Sequence, residues 1–157
     1  MLGDVLLITE KHENAGKAIF ERIIKERKGK YVIAISGESG SGKSELSHVL
    51  AKQLKSIGLR AKILHADNYY RIPPLERTSW RKKNGIDNIG YTEYDWDTLN
   101  RNVQSFREGS ETIMPCIDII TDQVDTLITN FDDVDLLIID GLYAIKTDDV
   151  DLRFGCT

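Results

Sequence analysis

The segment Gly37-Glu38-Ser39-Gly40-Ser41-Gly42-Lys43-Ser44 constrains this chain more than any other feature, because it fits G-x-x-x-x-G-K-[ST] without a departure. Chance would produce such a match in about 1 of 100 chains of this composition, before context is required. Upstream, Tyr31-Val32-Ile33-Ala34-Ile35 is a nearly continuous apolar run, as in a strand covered on both faces of a parallel sheet. Downstream, Leu46, Val49, Leu50 and Leu54 fall at helical spacing. Strand, glycine-rich loop and helix in that order form a phosphate cradle: glycines let backbone N–H groups turn inward, and the helix N-terminus adds its positive end. In such a cradle Lys43 bridges β- and γ-phosphate oxygens, and Ser44 gives its hydroxyl to a largely hydrated Mg²⁺. The bland alternative, a flexible Gly/Ser loop, fits the flanking strand and helix poorly.

The rest of the chain organises around this unit. Gly58 is placed to cap the helix, and Arg60 to His65 reads as a second strand closing on Ala66-Asp67, which completes a βαβ unit. Ahead of it, Glu13 to Lys28 carries Ala15, Ala18, Ile19, Ile23 and Ile24 at helical spacing. Asn68 to Tyr94 has no clear period and reads as irregular, functional surface. Asp97 to Glu108 reads as a helix stopped by Gly109, Thr112 to Ile120 and Val124 to Thr129 as a strand pair, and Val134 to Asp140 as a buried strand ending in an acid. The fold class is therefore α/β: a three-layer α/β/α sandwich with a mainly parallel sheet and a small β insertion. At 157 residues it is one domain, 1–157, with 1–30 as a helical lead-in.

Composition narrows the partners. A net charge of −4, from 21 basic and 25 acidic side chains, gives no general attraction to nucleic acid or anionic lipid. Cys116 and Cys156 lie far apart without metal-ligand spacing, so a reduced, intracellular compartment is the simpler reading. Met1 to Glu10 lacks a basic n-region and a cleavage-like pair, and no apolar run approaches the roughly 18 residues of a membrane span. These features together lead us to expect a soluble, cytoplasmic protein with a small-molecule partner and neither nucleic acid nor membrane, with homo-oligomerisation left open.

Two acids end strands expected to neighbour the phosphate-loop strand, where open α/β sheets gather ligand chemistry. Asp140 is placed to hold Mg²⁺ directly or through water, against the alternative of an ordinary strand-ending cap. Asp67 can accept the proton of an acceptor hydroxyl at the γ-phosphate. Tyr69, Tyr70 and Arg71 either line an acceptor pocket or pack. His65 reads as packed within its strand, the cluster Arg77, Arg81, Lys82 and Lys83 as a solvated charged face, and Trp80 and Trp96 equally well as core. Asp95 and Asp97 divide evenly between N-capping and substrate binding.

From Tyr31 onward the chain resembles the phosphoribulokinase/uridine kinase family of P-loop kinases. Besides the phosphate loop, Asp67-Asn68-Tyr69-Tyr70-Arg71 looks like the family's Asp-Ser-Phe-Tyr-Arg segment, and Asp95-Trp96-Asp97-Thr98-Leu99 is similar to the segment opening its next helix. Met114-Pro115-Cys116-Ile117-Asp118 is similar to its Pro-x-Tyr-Asp stretch, and Ile138-Ile139-Asp140-Gly141-Leu142-Tyr143 to its Glu-Gly-Leu strand end, with Asp for Glu. The resemblance implies ATP and Mg²⁺ as cofactors and ATP-dependent phosphoryl transfer to a hydroxyl of a small metabolite. It implies ATP binding by Gly37, Glu38, Ser39, Gly40, Ser41, Gly42, Lys43, Ser44 and Glu45, and catalysis by Asp67 with Lys43. Asp67, Tyr70 and Arg71 become the acceptor-binding residues, and Ser44 and Asp140 the metal-binding ones.

Departures bear on the acceptor. Ile117 stands where the family has an aromatic residue against uracil, Ile119-Ile120-Thr121-Asp122 lacks its His, and Ile89-Gly90-Tyr91-Thr92-Glu93 lacks its Asp-His-Pro. The family also continues past the strand begun by Leu152-Arg153-Phe154 into an arginine-bearing lid and a last strand, and this sequence stops before either at Gly155-Cys156-Thr157. The alternatives are accordingly a pantothenate- or adenylylsulfate-type kinase, or a lidless ATP-binding module without turnover of its own.

Overall fold

The computed structural model describes residues 5–157, so the first four residues of the Met1–Glu10 stretch lie outside the described residues. Four parallel strands form the central sheet in the order β2-β5-β1-β6: β1 (Tyr31–Gly37), β2 (Ala61–His65), β5 (Leu136–Gly141) and β6 (Leu152–Cys156). β1 and β5 are the inner strands, and both are buried along almost their whole length. That explains their unbroken apolar runs, since helices cover both faces.

On one face α1 (Glu10–Glu26) and α2 (Lys43–Ser56) pack Ile19, Ile23, Leu46, Leu50 and Leu54 against Ile33, Ile35, Leu136 and Ile138. On the other, α4 (Trp96–Glu108) brings Leu99, Val103 and Phe106 against Val32, Ala34, Leu137 and Ile139. Alternate residues of β1 and β5 thus face opposite layers, as the period of a strand requires. The helix boundaries follow local chemistry. α2 ends in a Schellman turn, with Gly58 at φ +84° and bonds from Gly58 N–H to Lys55 O and Leu59 N–H to Leu54 O. Asp95 caps α4 by accepting from both the backbone N–H and the hydroxyl of Thr98, which settles its role in favour of capping; Asp97 lies exposed in the first turn.

The expected strand pair is an antiparallel hairpin, β3 (Glu111–Asp118) and β4 (Gln123–Asn130), forming a sheet of its own. Asn68 to Tyr94 departs from its reading as irregular surface. It holds the end of a 3₁₀ segment begun at Ala66 (Ala66–Tyr69), a regular helix, α3 (Pro74–Asn84), and two short 3₁₀ turns, Ile86–Asn88 and Tyr91–Glu93. α3 has no buried residue, so no apolar stripe marks it, and Trp80 on it is not core. Trp96 is partly buried against the α4 side of the sheet. Both cysteines are free thiols, and among the described residues no helix is long and apolar enough to cross a membrane.

Candidate active site

Parallel strands deliver their C-terminal ends to one edge of the sheet, and the chemistry-bearing residues gather there. The loop after β1 turns through Gly40 at φ +78° and Gly42 at φ +85°, a left-handed backbone that side chains resist. A Cβ at Gly42 would also lie 2.5 Å from His12 Nε2, so α1 closes tightly on the loop. Gly42 opens α2 without a side-chain acceptor, and the first N–H to find the helix ladder is that of Leu46, on Gly42 O. The N–H groups of the first turn are therefore left to a ligand, which is the basis of anion binding at a helix N-terminus. Lys43 lies back across the loop, its Nζ 3.4 Å from Glu38 O, and the Ser41 hydroxyl is buried without a partner among the described residues.

Asp67, in the turn directly after β2, faces this loop. Ser39, Lys43, Asp67 and Tyr70 line one cavity of ≈ 280 Å³, completed by Pro74 and Arg77 of the α3 region, Ile117 and Ile119 of the hairpin region, and Leu142. A second space of ≈ 250 Å³ joins Lys43, Ser44, Glu45 and Asp67 to the glycines of the loop, with Val5 and Leu6 at its rim. Beyond the loop, a third of ≈ 610 Å³ runs between Gly37–Ser41, Leu142, Ile145 and the Gly155–Thr157 end of the chain. Loop lysine, acid and tyrosine thus share one concavity, as the motifs imply.

Asp67 is held by a residue the sequence did not single out. The Tyr94 hydroxyl lies 3.2 Å from Asp67 Oδ1 and 2.8 Å from the Tyr70 hydroxyl. One hydroxyl hydrogen serves one acceptor, so when Tyr94 donates to Asp67, Tyr70 donates to Tyr94. Burial pushes the Tyr94 phenol well above its ordinary range, reinforced by its bond to Tyr70 and the charge of Asp67, so it remains a donor at neutral pH. Arg71 is turned elsewhere: its Nε donates to Tyr94 O at 3.1 Å, its N–H donates to Glu93 O, and it is not among the residues lining the cavity.

His65 is not simply packed within its strand. β2 and β5 are neighbours in register His65↔Asp140, and His65 Nδ1 lies 2.8 Å from Asp140 Oδ1. Asp140 is buried at 3% exposure, and its Oδ2 has no partner among the described residues. The basic cluster divides as well. Arg81 makes a two-point ion pair with buried Glu93, at 2.7 and 2.8 Å, and Arg77 stacks on the Tyr70 ring at 3.6 Å, so only Lys82 and Lys83 keep the solvated reading. The signal for Arg77 was its helical spacing from Pro74, which points both into the same cavity; no local pattern marked Tyr94.

Of the two acids expected on neighbouring strands, only Asp140 ends a strand beside β1, because β5 lies between β1 and β2. A phosphate loop opening a helix, faced by an acid at the end of the strand that follows that helix, defines the P-loop kinase class of α/β proteins. Residues 32–153 match the phosphoribulokinase/uridine kinase family, and the chain belongs to that family. It is 32% identical over 114 residues to a bifunctional α-galactosidase/sucrose kinase of Mediterraneibacter gnavus, covering 64% of this chain and 12% of that protein. It is 25% identical over 115 residues to a uridine kinase of Macrococcus caseolyticus, covering 73% of this chain and 54% of that enzyme. The chain therefore spans about half the length of the curated uridine kinase it matches, and a small part of the bifunctional protein. The fold is shared with a structure described as a possible uridine kinase from Bacillus stearothermophilus, at TM-score 0.75 and 19% identity, covering 92% of this chain and 80% of that one.

Proposed function

We propose that this kinase transfers the γ-phosphoryl group of ATP to a hydroxyl of a small metabolite. The observation that carries the reading is the single cavity shared by Lys43 and Ser39 of the phosphate loop with Asp67 and Tyr70. In it the first-turn N–H groups of α2 and the Lys43 ammonium receive the phosphates, and Asp67 takes the proton of the attacking hydroxyl. The new bond forms between that oxygen and the γ-phosphorus as the bond to the bridging oxygen breaks, and ADP leaves. Positioning and charge neutralisation supply most of the rate in such a transfer, so the fixed orientation of Asp67 by Tyr94 belongs to the machinery.

Kinases of this family use ATP with Mg²⁺, and the residues present fit the ion. The Ser44 hydroxyl and the Asp67 carboxylate line one space with Lys43, and Asp140 keeps a buried carboxylate oxygen unpaired among the described residues, the kind of group that a metal-bound water satisfies. Ser44 would hold the ion and Asp140 one of its waters; when bound, the ion neutralises charge on the phosphate oxygens.

ADP formation from Mg·ATP, with and without nucleosides, pantothenate and adenylylsulfate, tests the reading. Stimulation by an acceptor is expected, with Asp67→Asn abolishing turnover while ATP still binds, and Lys43→Ala losing nucleotide affinity. Normal turnover by Asp67→Asn would remove the base assignment. ATP binding without stimulation by any hydroxyl compound would favour a nucleotide-binding module that acts through another chain.

A further inference from the structure

The acceptor cavity contains a cation that the transfer chemistry above does not use. Arg77 of α3 sets its guanidinium carbon over the Tyr70 ring, 3.6 Å from the centroid, and its Nη2 donates to Ile72 O at 3.3 Å. Its Nε is buried and has no hydrogen-bond partner among the described residues. Nor does Arg77 have an ion-pair partner there. The nearby carboxylate of Glu93 is already taken at two points by Arg81, and Asp67 Oδ1 is met by Tyr94. A guanidinium held on one face by an aromatic ring and at one corner by a carbonyl, with its Nη1 making no hydrogen bond among the described residues, is pre-organised for a planar or tetrahedral anion.

The surroundings of Arg77 agree with that use. The cavity is small, ≈ 280 Å³, and the walls other than Arg77, Lys43, Ser39, Asp67 and Tyr70 are the apolar side chains of Pro74, Ile117, Ile119 and Leu142. Isoleucine at 117 and 119 offers neither a flat ring nor a hydrogen bond to a heterocyclic base. Among the described residues lining this space, Arg77 is the cation that neither belongs to the phosphate loop nor forms an ion pair.

Resting on the kinase reading above, we infer that the acceptor is a compact alcohol that also carries an anionic group, carboxylate or phosphate. Its hydroxyl lies at Asp67 and its anion on the open donors of Arg77. The transfer is unchanged: the acceptor oxygen binds the γ-phosphorus, its proton passes to Asp67, and ADP departs. Arg77 is then a specificity-determining residue, ordering acceptors by charge.

Matched acceptors decide the matter: glycerol against D-glycerate and glycerol 3-phosphate, ribose against ribose 5-phosphate, and uridine, each with Mg·ATP. The anionic members are expected to have the higher kcat/KM. Arg77→Gln should raise their KM by about 10- to 100-fold, the worth of a charged hydrogen-bonded contact, while KM for ATP is unchanged. Arg77→Lys, which keeps the charge and loses the fork, should recover only part of this. Comparing carboxylate with phosphate members identifies which anion is preferred. Equal or better use of the neutral members, or an Arg77→Gln loss of the same size for neutral and anionic acceptors through kcat, would overturn the inference and assign Arg77 to the transferring phosphoryl group. If no acceptor turns over, the kinase reading fails by itself. Calorimetric titration of D-glycerate and glycerol 3-phosphate onto the protein saturated with Mg²⁺ and a non-hydrolysable ATP analogue then still tests Arg77, and binding that Arg77→Gln leaves untouched would overturn the inference.

Discussion

Tyr94 is buried among aromatic rings, with Trp96 at 5.4 Å and Tyr143 at 5.7 Å between centroids, and its hydroxyl reaches Asp67. Tyr94→Phe keeps that packing and removes the hydroxyl that meets both Asp67, the proposed base, and Tyr70. Losing one hydrogen bond of about 1–1.5 kcal/mol from a positioned group lowers kcat by about 10-fold. Steady-state kinetics should show that drop with ATP affinity unchanged; an unaltered kcat would mean that Asp67 is oriented by other groups. The contrast with Lys43, Ser44 and Asp67 shows what a sequence exposes at this scale. Lys43 and Ser44 sit in a loop whose chemistry is local, so spacing marks them, and Asp67 is marked by its place at the end of an apolar strand. Tyr94 reaches the site through an isolated bridge with Tyr70 across a stretch without a period, and nothing near it in the chain announces that contact.

Among the elements, α3 was the one that periodicity did not reveal, and its attachment to the molecule explains why. It buries no residue of its own, so its apolar pattern is blank; instead Arg81 ties it to Glu93, which lies at 3% exposure and also accepts from Gly90 N–H. The Arg81 guanidinium holds the Glu93 carboxyl below its usual range, against the opposing effect of burial, and the Gly90 N–H adds to this. A carboxyl whose folded pKa is depressed contributes stability that is present above its ordinary value of about 4.3 and is lost as pH falls through the folded value. Hydrogen exchange of α3 amides should therefore stay slow from neutral pH to about 5 and accelerate below it, after correction for intrinsic exchange. In Glu93→Gln the acid-dependent step should vanish and α3 should be less protected already at pH 7. The central strands, α2 and α4 were legible for the opposite reason: each presents an apolar face or run to the sheet, and burial is what writes a period into sequence.

At the scale of the whole molecule, strand order was the hidden variable. The apolar run ending in Asp140 was plainly a strand, but only its insertion between β1 and β2 sets Asp140 opposite His65 and Ile35, and no local pattern encodes that choice of neighbour. The hairpin was readable as a pair of strands and unreadable as a wall of the cavity shared by Lys43 and Asp67. It joins the α/β body through Met114, which packs into the core with Leu99, Val103 and Phe106, and through two buried amides. Asn68 Oδ1 accepts from Ile117 N–H at 3.0 Å, and Asn102, at 1% exposure, takes the Tyr69 hydroxyl at 2.8 Å while donating to Thr112 Oγ1 at 2.9 Å and Ile113 O at 3.0 Å. Asn102→Ala removes a three-way clamp and leaves the Tyr69 hydroxyl buried without its acceptor, at a cost of about 1–3 kcal/mol by the general penalty for such groups. The phosphate loop lies on the far side of Asp67 from this clamp in the chain of contacts, so nucleotide binding should survive. The expected result is a lower urea midpoint, an acceptor KM raised by about 10-fold as Ile117 and Ile119 lose their fixed position, and an ATP affinity close to that of the parent. A matching fall in ATP affinity would mean that the hairpin and the phosphate loop form one cooperative unit, and that acceptor recognition cannot be altered from the hairpin alone.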